Sequence, residues 1–492
     1  MSISCKAGSR QATSADAVVV FFFEDSTLFS TATRKLSSEI SDLAAIIKSG
    51  DFTGKANQTA IGYTNATKNS ASRFILTGLG KKSDFSEEKL RRAAAAATKK
   101  AASINCKHIA FDLPSADSLP VSVAAQAIGE GSQLSQYGFI KYKTGDNNKF
   151  VTKFTIICSQ AALKEAQKGA SVANALYDGV TVARNLANAP NCEIYPETLA
   201  KEATVLGKKH GFKVTTFNKQ KIAQLKMGGL LGVNQGSVRP PAFITLEYMK
   251  GPKSQKPIVL VGKGVTFDTG GISIKPAAGM SDMKSDMHGA ASVIGTMVSL
   301  AALGVKRNVV GLIPSTENMP SGSALVPGDI VRFMNGKTAE IDNTDAEGRL
   351  ILADALCYAD KFNPEAVIDL ATLTGAIVIA LGNTTTGMMG TDESTMKKLQ
   401  NAGDKTGEYV CRLPLYEEYE ELISSDYADV KNSGGRAAGS ITAALFLKTF
   451  VSYPWVHLDI AGTGINPKAF HYTPKGGTGV GVRLLTEAIS NW

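Results

Sequence analysis

No uninterrupted apolar run in this chain approaches the roughly 20 residues that would cross a bilayer. The apolar stretch at residues 17–23 is short, and Asp16 and Glu24 flank it. A secretory signal would carry positive charge ahead of its apolar region, so this stretch reads as a buried strand. Residues 1–15 hold Lys6, Arg10 and several serines but no acid, the one trace of an organelle-targeting leader. Closely spaced cysteines are lacking too. Cys5, Cys106, Cys158, Cys192, Cys357 and Cys411 never reach CxxC spacing, which argues against a disulfide scaffold and a thiolate zinc site. That pattern fits a reducing compartment, and the expected location is cytoplasmic. Neither a low-complexity tract nor a repeat with a period of about 20–50 residues is found. Basic residues (53) exceed acidic ones (44) to give +9, but they are dispersed. Scattered surface lysine, rather than a polyanion-binding face, is the reading of that excess.

What is there is the composition of a globular protein: 492 residues, 43% hydrophobic and 20% charged. The length suits about three ordinary domains or two large ones. Strands are expected at 18–23, 73–77, 108–111 and 154–158. Helices are expected at 30–48, 86–103 and 121–137. That alternation predicts an α/β layer on a largely parallel sheet. A long helix over about 161–186 then separates it from a second βα series. There, strands are expected at 213–217, 242–248, 258–261, 309–313, 366–370 and 455–459, and helices at 283–303, 350–359 and 441–450. Sites in such sheets form at the carboxyl ends of strands.

Three glycine-bearing loops concentrate charge there. One follows strand 258–261 and carries Lys263, Asp268 and, further on, Lys275. The second, at 282–289, carries Asp286 and opens a helix that Asp282 is expected to cap. The third, at 342–349, carries Asp345, Glu347 and Arg349 ahead of another helix. Asp345 and Glu347 are two apart and would point to different faces of a regular helix. If both serve one centre, one of them lies in the turn, a geometry that Gly348 would permit. Asp345 has a competing reading as a helix cap, and His288 reads as structural or surface rather than as a ligand. Asp268, Asp286, Asp345 and Glu347 together carry the charge to neutralise two divalent cations in an oxygen-rich site. Two such ions can share a bridging water and clamp a tetrahedral intermediate, leaving Lys275 and Arg349 to stabilise an oxyanion.

The third loop, Asn343-Thr344-Asp345-Ala346-Glu347-Gly348-Arg349-Leu350, resembles the signature octapeptide of the leucyl (cytosol) aminopeptidase family. Val261 to Gly264 with Asp268 and Lys275 is similar to that family's first metal loop, and Met283 to Met287 to its second. Glu317 to Gly322 and Asp369 to Ala376 are also family-like. The likeness covers the chain from about residue 183 to the end, and no charged position of the three loops departs from it. It implies a two-domain α/β protein: a smaller N-terminal α/β domain (1–160), a linking helix (161–190) and a larger catalytic domain (191–492) with a mixed sheet flanked by helices. It also implies a metal-dependent aminopeptidase with two divalent ions, Zn²⁺ in the tighter site and Zn²⁺, Mn²⁺ or Mg²⁺ in the exchangeable one. Lys263, Asp268, Asp286 and Glu347 would hold the first ion; Asp268, Asp345 and Glu347 would hold the second. As a ligand Lys263 must be neutral, which burial and a nearby dication would favour. By the same likeness Lys275 would contact the gem-diolate, and Arg349 would hold a bicarbonate ion as general base. Asp286 would bind the substrate's free amine, the main chain at Leu373 would anchor it, and Met283, Thr372 and Gly375 would line an apolar pocket. The partners implied are short peptides with leucine or another apolar residue first, and copies of the chain in a homohexamer, with no membrane.

Two rival readings differ in class. A different two-metal hydrolase, such as a phosphatase or nuclease, would cleave a phosphodiester and not an aminoacyl amide. A structural or nucleic-acid-binding hexamer, beside or in place of catalysis, would use the basic helix with Arg91, Arg92, Lys99 and Lys100. A solvated helix face is the blander reading of those charges.

Overall fold

The structure, a computed structural model, describes residues 1–10, 13–24, 39–64, 71–114, 119–145 and 150–492. The chain divides into two compact units: Met1–Tyr177 with Lys468–Pro474, and Asp178–Pro467 with Lys475–Trp492. The helix Leu163–Asn188 is continuous through the division.

The first unit is built on a six-stranded sheet. Its strands are β1 (Ile3–Ala7), β2 (Ala17–Phe23), β3 (Thr59–Tyr63), β4 (Arg73–Gly80), β5 (His108–Asp112) and β6 (Lys153–Cys158), in the order β1-β6-β5-β2-β4-β3. All neighbours pair in parallel except β3 with β4. Both faces of a parallel sheet are covered, which explains why β2 reads as an unbroken apolar run. The expected strands are present and β4 extends three residues further. Sequence patterning missed β1 and β3. They occupy the two edges, where half-burial leaves a mixed sequence. Of the helix expected at 30–48, residues 30–38 lie outside the described residues and Leu43–Lys48 is helical.

Arg91, Arg92, Lys99 and Lys100 of the next helix differ in their surroundings. Glu87–Ser103 is helical and capped by Ser86, whose hydroxyl accepts the Lys89 N–H. Arg91, however, is only 2% exposed and sits between Glu88 (2.5 Å) and Glu130 (2.8 Å), while Arg92 pairs with Glu88 at 2.6 Å. Tyr472 donates its hydroxyl to Glu88, and Lys99 donates to the His471 carbonyl. A guanidinium this deeply buried is tolerated because carboxylates answer it. Lys99 is exposed, and Arg92 and Lys100 are half-buried.

The second unit carries a nine-stranded mixed sheet. Its strands are β7 (Lys213–Phe217), β8 (Ala242–Met249), β9 (Ile258–Gly262), β10 (Gly264–Asp268), β11 (Asn308–Asn318), β14 (Ala366–Ala371), β15 (Thr386–Gly390), β16 (Val410–Arg412) and β18 (Trp455–Asp459). The order is β16-β15-β18-β14-β9-β11-β8-β7, with β10 also on β11. β11, β9, β14 and β18 form a parallel centre with antiparallel pairs on either side. A small sheet joins β12 (Ile330–Arg332), β13 (Thr338–Glu340) and β17 (Val430–Lys431). The helical stretch Met280–Leu303 is long and apolar enough to cross a membrane by length and composition, but its most apolar part is mostly buried, as a core helix is.

The first glycine-rich loop proves to be two strands. β9 pairs with the first half of β11, and β10 with its far end. The break falls at Lys263, whose N–H bonds Leu370 O and whose carbonyl accepts Ala290 N–H. Gly262 and Gly264 permit the crossing, since a Cβ on either would lie 2.6 Å from Gly289 O or 2.7 Å from Pro314 O.

Asp354, on the helix Glu347–Ala359, is fully buried and accepts only backbone N–H groups, from Leu230 and Met334 at 3.0 Å and from Gly229. Burial pushes its pKa up to about 7. A raised carboxyl pKa stabilises the fold at low pH and loses that contribution as pH climbs from about 4 to 7. Asp354→Asn should therefore gain on the parent by at most about 1.4 kcal/mol per pH unit across that window. The check is the difference in unfolding free energy between the two proteins; a pH-independent difference contradicts it.

Candidate active site

The charged residues meet where the central parallel strands end. Asp268 closes β10, Lys263 follows β9, Thr372 and Leu373 follow β14, and Asp286 precedes the helix His288–Leu303. Asp345 lies in the turn before the helix that Glu347 opens. The two acids separated by one residue thus reach one centre from a turn and a helix start. The cap of that helix is Ala346, with no side-chain bond, so capping does not explain Asp345. Asp282 does not cap its helix either. It sits in the 3₁₀ turn Met280–Ser285, and Met287 occupies the cap position.

Carboxylate oxygens of Asp268, Asp286 and Glu347 lie within 4.8 Å of one another, and all three residues are buried. Lys263 Nζ lies 2.7 Å from Asp286 and 2.8 Å from Glu347, and donates to the Thr372 carbonyl at 2.9 Å. Lys275 Nζ lies 2.7 Å from Asp268 and also pairs with Asp345. Four acids and two ammonium groups leave an excess of negative charge in a site where Asp268, Asp286 and Glu347 are buried and Asp345 is half-buried. Burial, together with Glu347, holds Asp268, Asp286 and Asp345 above the ordinary carboxylate range, Asp268 at about 6. Burial opposes the charge on Glu347 as well, but Lys263 and Lys275 outweigh it and hold that carboxyl low. Carboxylates held in this state attract further positive charge, and an oxygen-rich donor set fits divalent cations.

Lys263 is subject to opposed influences. Burial favours its neutral amine, but Asp286, Glu347 and Asp268 reverse the balance and raise its pKa. Without a metal ion the three carboxylates therefore favour its ammonium form. Gly348 also has a different role from the one expected. Its φ is not positive; a Cβ there would stand 2.6 Å from Lys263 Cε, so glycine lets the lysine pass against the helix.

A cavity of about 410 Å³ opens beside the carboxylates. Met283, Thr372, Leu373 and Gly375 line it with Lys263, Asp268, Lys275, Asp286 and Asp345, and Met280, Val378 and Ile465 add apolar wall. The volume suits a small ligand. Glu347 and Arg349 are buried and do not line it. Arg349 donates from Nη1 to the Asn432 carbonyl at 2.7 Å, while its buried Nε has no hydrogen-bond partner among the described residues. Burial lowers its pKa to about 10. His288 is fully buried, neutral because burial and Arg184 push its pKa to about 4, and accepts the Gly479 N–H at 3.1 Å; its role is structural.

Residues 181–486 match the model of the cytosol aminopeptidase family catalytic domain, and residues 19–146 match the family's N-terminal domain. The chain belongs to the cytosol aminopeptidase family. It is accordingly an aminopeptidase, a hydrolase of peptides. A probable cytosol aminopeptidase from a Geobacter strain is 45% identical over 450 residues, 91% of each chain. One from Roseiflexus castenholzii is 42% identical across 100% of this chain and 99% of its own. Among solved structures, a tomato leucine aminopeptidase variant is 33% identical with a TM-score of 0.89, covering 100% of this chain and 97% of that one. The bottromycin maturation enzyme BotP, solved also in complex with Mn, is 31% identical with a TM-score of 0.85, covering 97% and 99%.

Several supporting residues escaped the sequence reading. Asn318 donates to Asp268 at 2.8 Å, and Thr372 donates its hydroxyl to Asp286 at 2.7 Å. Asp459 accepts the Leu373 N–H at 3.1 Å and the Thr374 hydroxyl at 2.6 Å. The Leu373 N–H is thereby committed. Asn318 lies in a stretch already marked as family-like; Asp459 carried no local signal.

Gly348→Ala should displace Lys263 and weaken divalent-metal binding about 10–100-fold, the range for residues that support ligands. Mn²⁺ titration of metal-stripped protein checks this, with unchanged affinity as the contrary result.

Proposed function

We propose that the chain removes the N-terminal residue of short peptides, with leucine and other apolar side chains preferred, using two divalent cations and a bicarbonate ion. The observation that carries this reading is the group of four carboxylates, bridged by two lysines, at the foot of a largely apolar cavity. Lys263, Asp268, Asp286 and Glu347 would hold a tighter ion, for which we favour Zn²⁺. Asp268, Asp345 and Glu347 would hold an exchangeable Zn²⁺, Mn²⁺ or Mg²⁺. Bound there, such ions would supply Lewis-acid polarisation of a carbonyl and lower the pKa of water.

The remaining steps belong to the chain's own groups. Asp286 receives the free α-amine, which limits attack to the first residue. Met283, Thr372 and Gly375 surround the first side chain, and the Leu373 carbonyl accepts from the substrate main chain. Lys275 is held by Asp268 and Asp345 with its ammonium in the cavity wall. Its pKa is raised: burial opposes the charge, but Asp268, Glu347 and Asp345 outweigh burial. It is therefore charged when the carbonyl oxygen becomes negative in the gem-diolate, where preorganised positive charge has its largest effect. Arg349 would hold the bicarbonate that takes up the proton, and its unpartnered Nε supports an anion site. We further propose an assembled homohexamer and a role in intracellular peptide turnover. The burial of Arg91 gives the nucleic-acid reading no support.

Leucine p-nitroanilide hydrolysis by metal-stripped protein should return with Mn²⁺ or Zn²⁺ and be absent with an N-acetylated substrate. Asp345→Asn should lose more than the roughly 100-fold that marks a supporting residue. A metal-loaded, folded protein inert on such substrates would sink the reading. Arg349→Met should lose bicarbonate stimulation and a general-base contribution of about 10²–10⁴-fold; a variant still stimulated by bicarbonate argues against that role.

A further inference from the structure

Asn432 lies 83 residues after Arg349 and is 0% exposed. It follows β17, which pairs with β13 beside the octapeptide. Its Oδ1 accepts the N–H groups of Asp342 (2.8 Å) and Asn343 (3.2 Å), and its Nδ2 donates to the Asn343 carbonyl at 2.7 Å. Its backbone N–H donates to Glu340 O at 2.9 Å, and its carbonyl accepts Arg349 Nη1 at 2.7 Å. Every polar atom of this residue is thus spent on residues 340–349, on both sides of Asp345 and Glu347. Asn343 is itself drawn in, because its Oδ1 accepts the Asp345 N–H at 2.8 Å. A satisfied buried amide of this kind fixes one geometry, and nothing else in the loop from Ser425 reaches both the turn and the guanidinium.

We infer that Asn432 is a positioning residue that sets the Arg349 guanidinium in register with the Asp345–Glu347 turn. The inference rests on the proposed metallo-aminopeptidase reading and deepens it. Asparagine is required because the same side chain must both accept from and donate to one turn. Alanine offers neither bond. Aspartate keeps the acceptor and both backbone bonds, but it turns a carboxylate oxygen on the Asn343 carbonyl in place of the donor and adds a buried negative charge.

The test uses the full chain, stripped of metal, as the parent, Asn432→Ala, Asn432→Asp and, as a control from the same loop, Ser425→Ala. Ser425 donates to Glu340 and touches neither the turn nor Arg349. Mn²⁺ binding is followed by electron paramagnetic resonance, alongside leucine p-nitroanilide kinetics with and without bicarbonate. Asn432→Ala should keep the tighter Mn²⁺ site while the weaker one loses about 10–100-fold in affinity, with kcat falling in proportion and KM unchanged. Its response to bicarbonate should be blunted, and Asn432→Asp, which repels the Asn343 carbonyl, should show a loss of each kind at least as large. Ser425→Ala should lower the melting temperature without separating the two metal sites. A folded Asn432→Ala with parental Mn²⁺ affinities and kcat, or one that matches Ser425→Ala in losing melting temperature alone, overturns the inference. Should Asn432→Ala not fold, parental behaviour of Asn432→Asp overturns it. A parent chain that neither takes up Mn²⁺ nor cleaves the anilide defeats the proposed function, and this inference with it.

Discussion

Negative charge gathered out of water is the constraint on which the second unit depends. At a separation near 4 Å and an effective dielectric of about 20, each like-charged pair costs roughly 4 kcal/mol. Asp268, Asp286, Asp345 and Glu347 are held close together against that cost. The fold tolerates them because Lys263 and Lys275 each bridge two acids. The arrangement is balanced only in part, so it retains an appetite for cations.

Much of the local architecture serves that balance. β9 stops and β10 begins in order to turn Lys263 inward, and Gly348 lets the lysine pass the helix. Asn318 and Thr372 each donate to one carboxylate, which leaves the other oxygens for cations. Asp459 draws the wall residues Leu373 and Thr374 onto the end of β18. Buried polar groups with all their partners in place rigidify a site, and those left half-satisfied would loosen it. Among the described residues, Arg349 Nε is one of the buried polar atoms without a hydrogen-bond partner.

The first unit solves a smaller version of the same problem. Arg91 is buried with Glu88 and Glu130, a charge group whose removal of one member would leave the others uncompensated. Its residues resemble a basic surface when read along the helix, and only the packing reveals that the Arg91 charge is turned inward while Lys99 stays exposed. A linear reading of charge counts residues, whereas the field depends on which face each residue occupies.

The amino-acid sequence by itself determined the elements whose patterns are local. Buried parallel strands such as β2 and β9 are continuous apolar runs, and the helix Glu87–Ser103 follows from propensity and its Ser86 cap. The octapeptide fixed the family, and with it the eleven positions that the fold brings to or near one cavity. Edge strands β1 and β3, and the split of the first loop into β9 and β10, were decided by pairing partners distant in the chain. So were the charge on Lys263 and the depth of Arg91. Asn432 and Asp459 also took their meaning from tertiary structure, since a hydrogen bond depends on separation in space. The physical reason is common to all of these. Periodicity and propensity act over a few residues, whereas desolvation, Coulomb fields and hydrogen-bond partners are set by whatever the folded chain brings alongside.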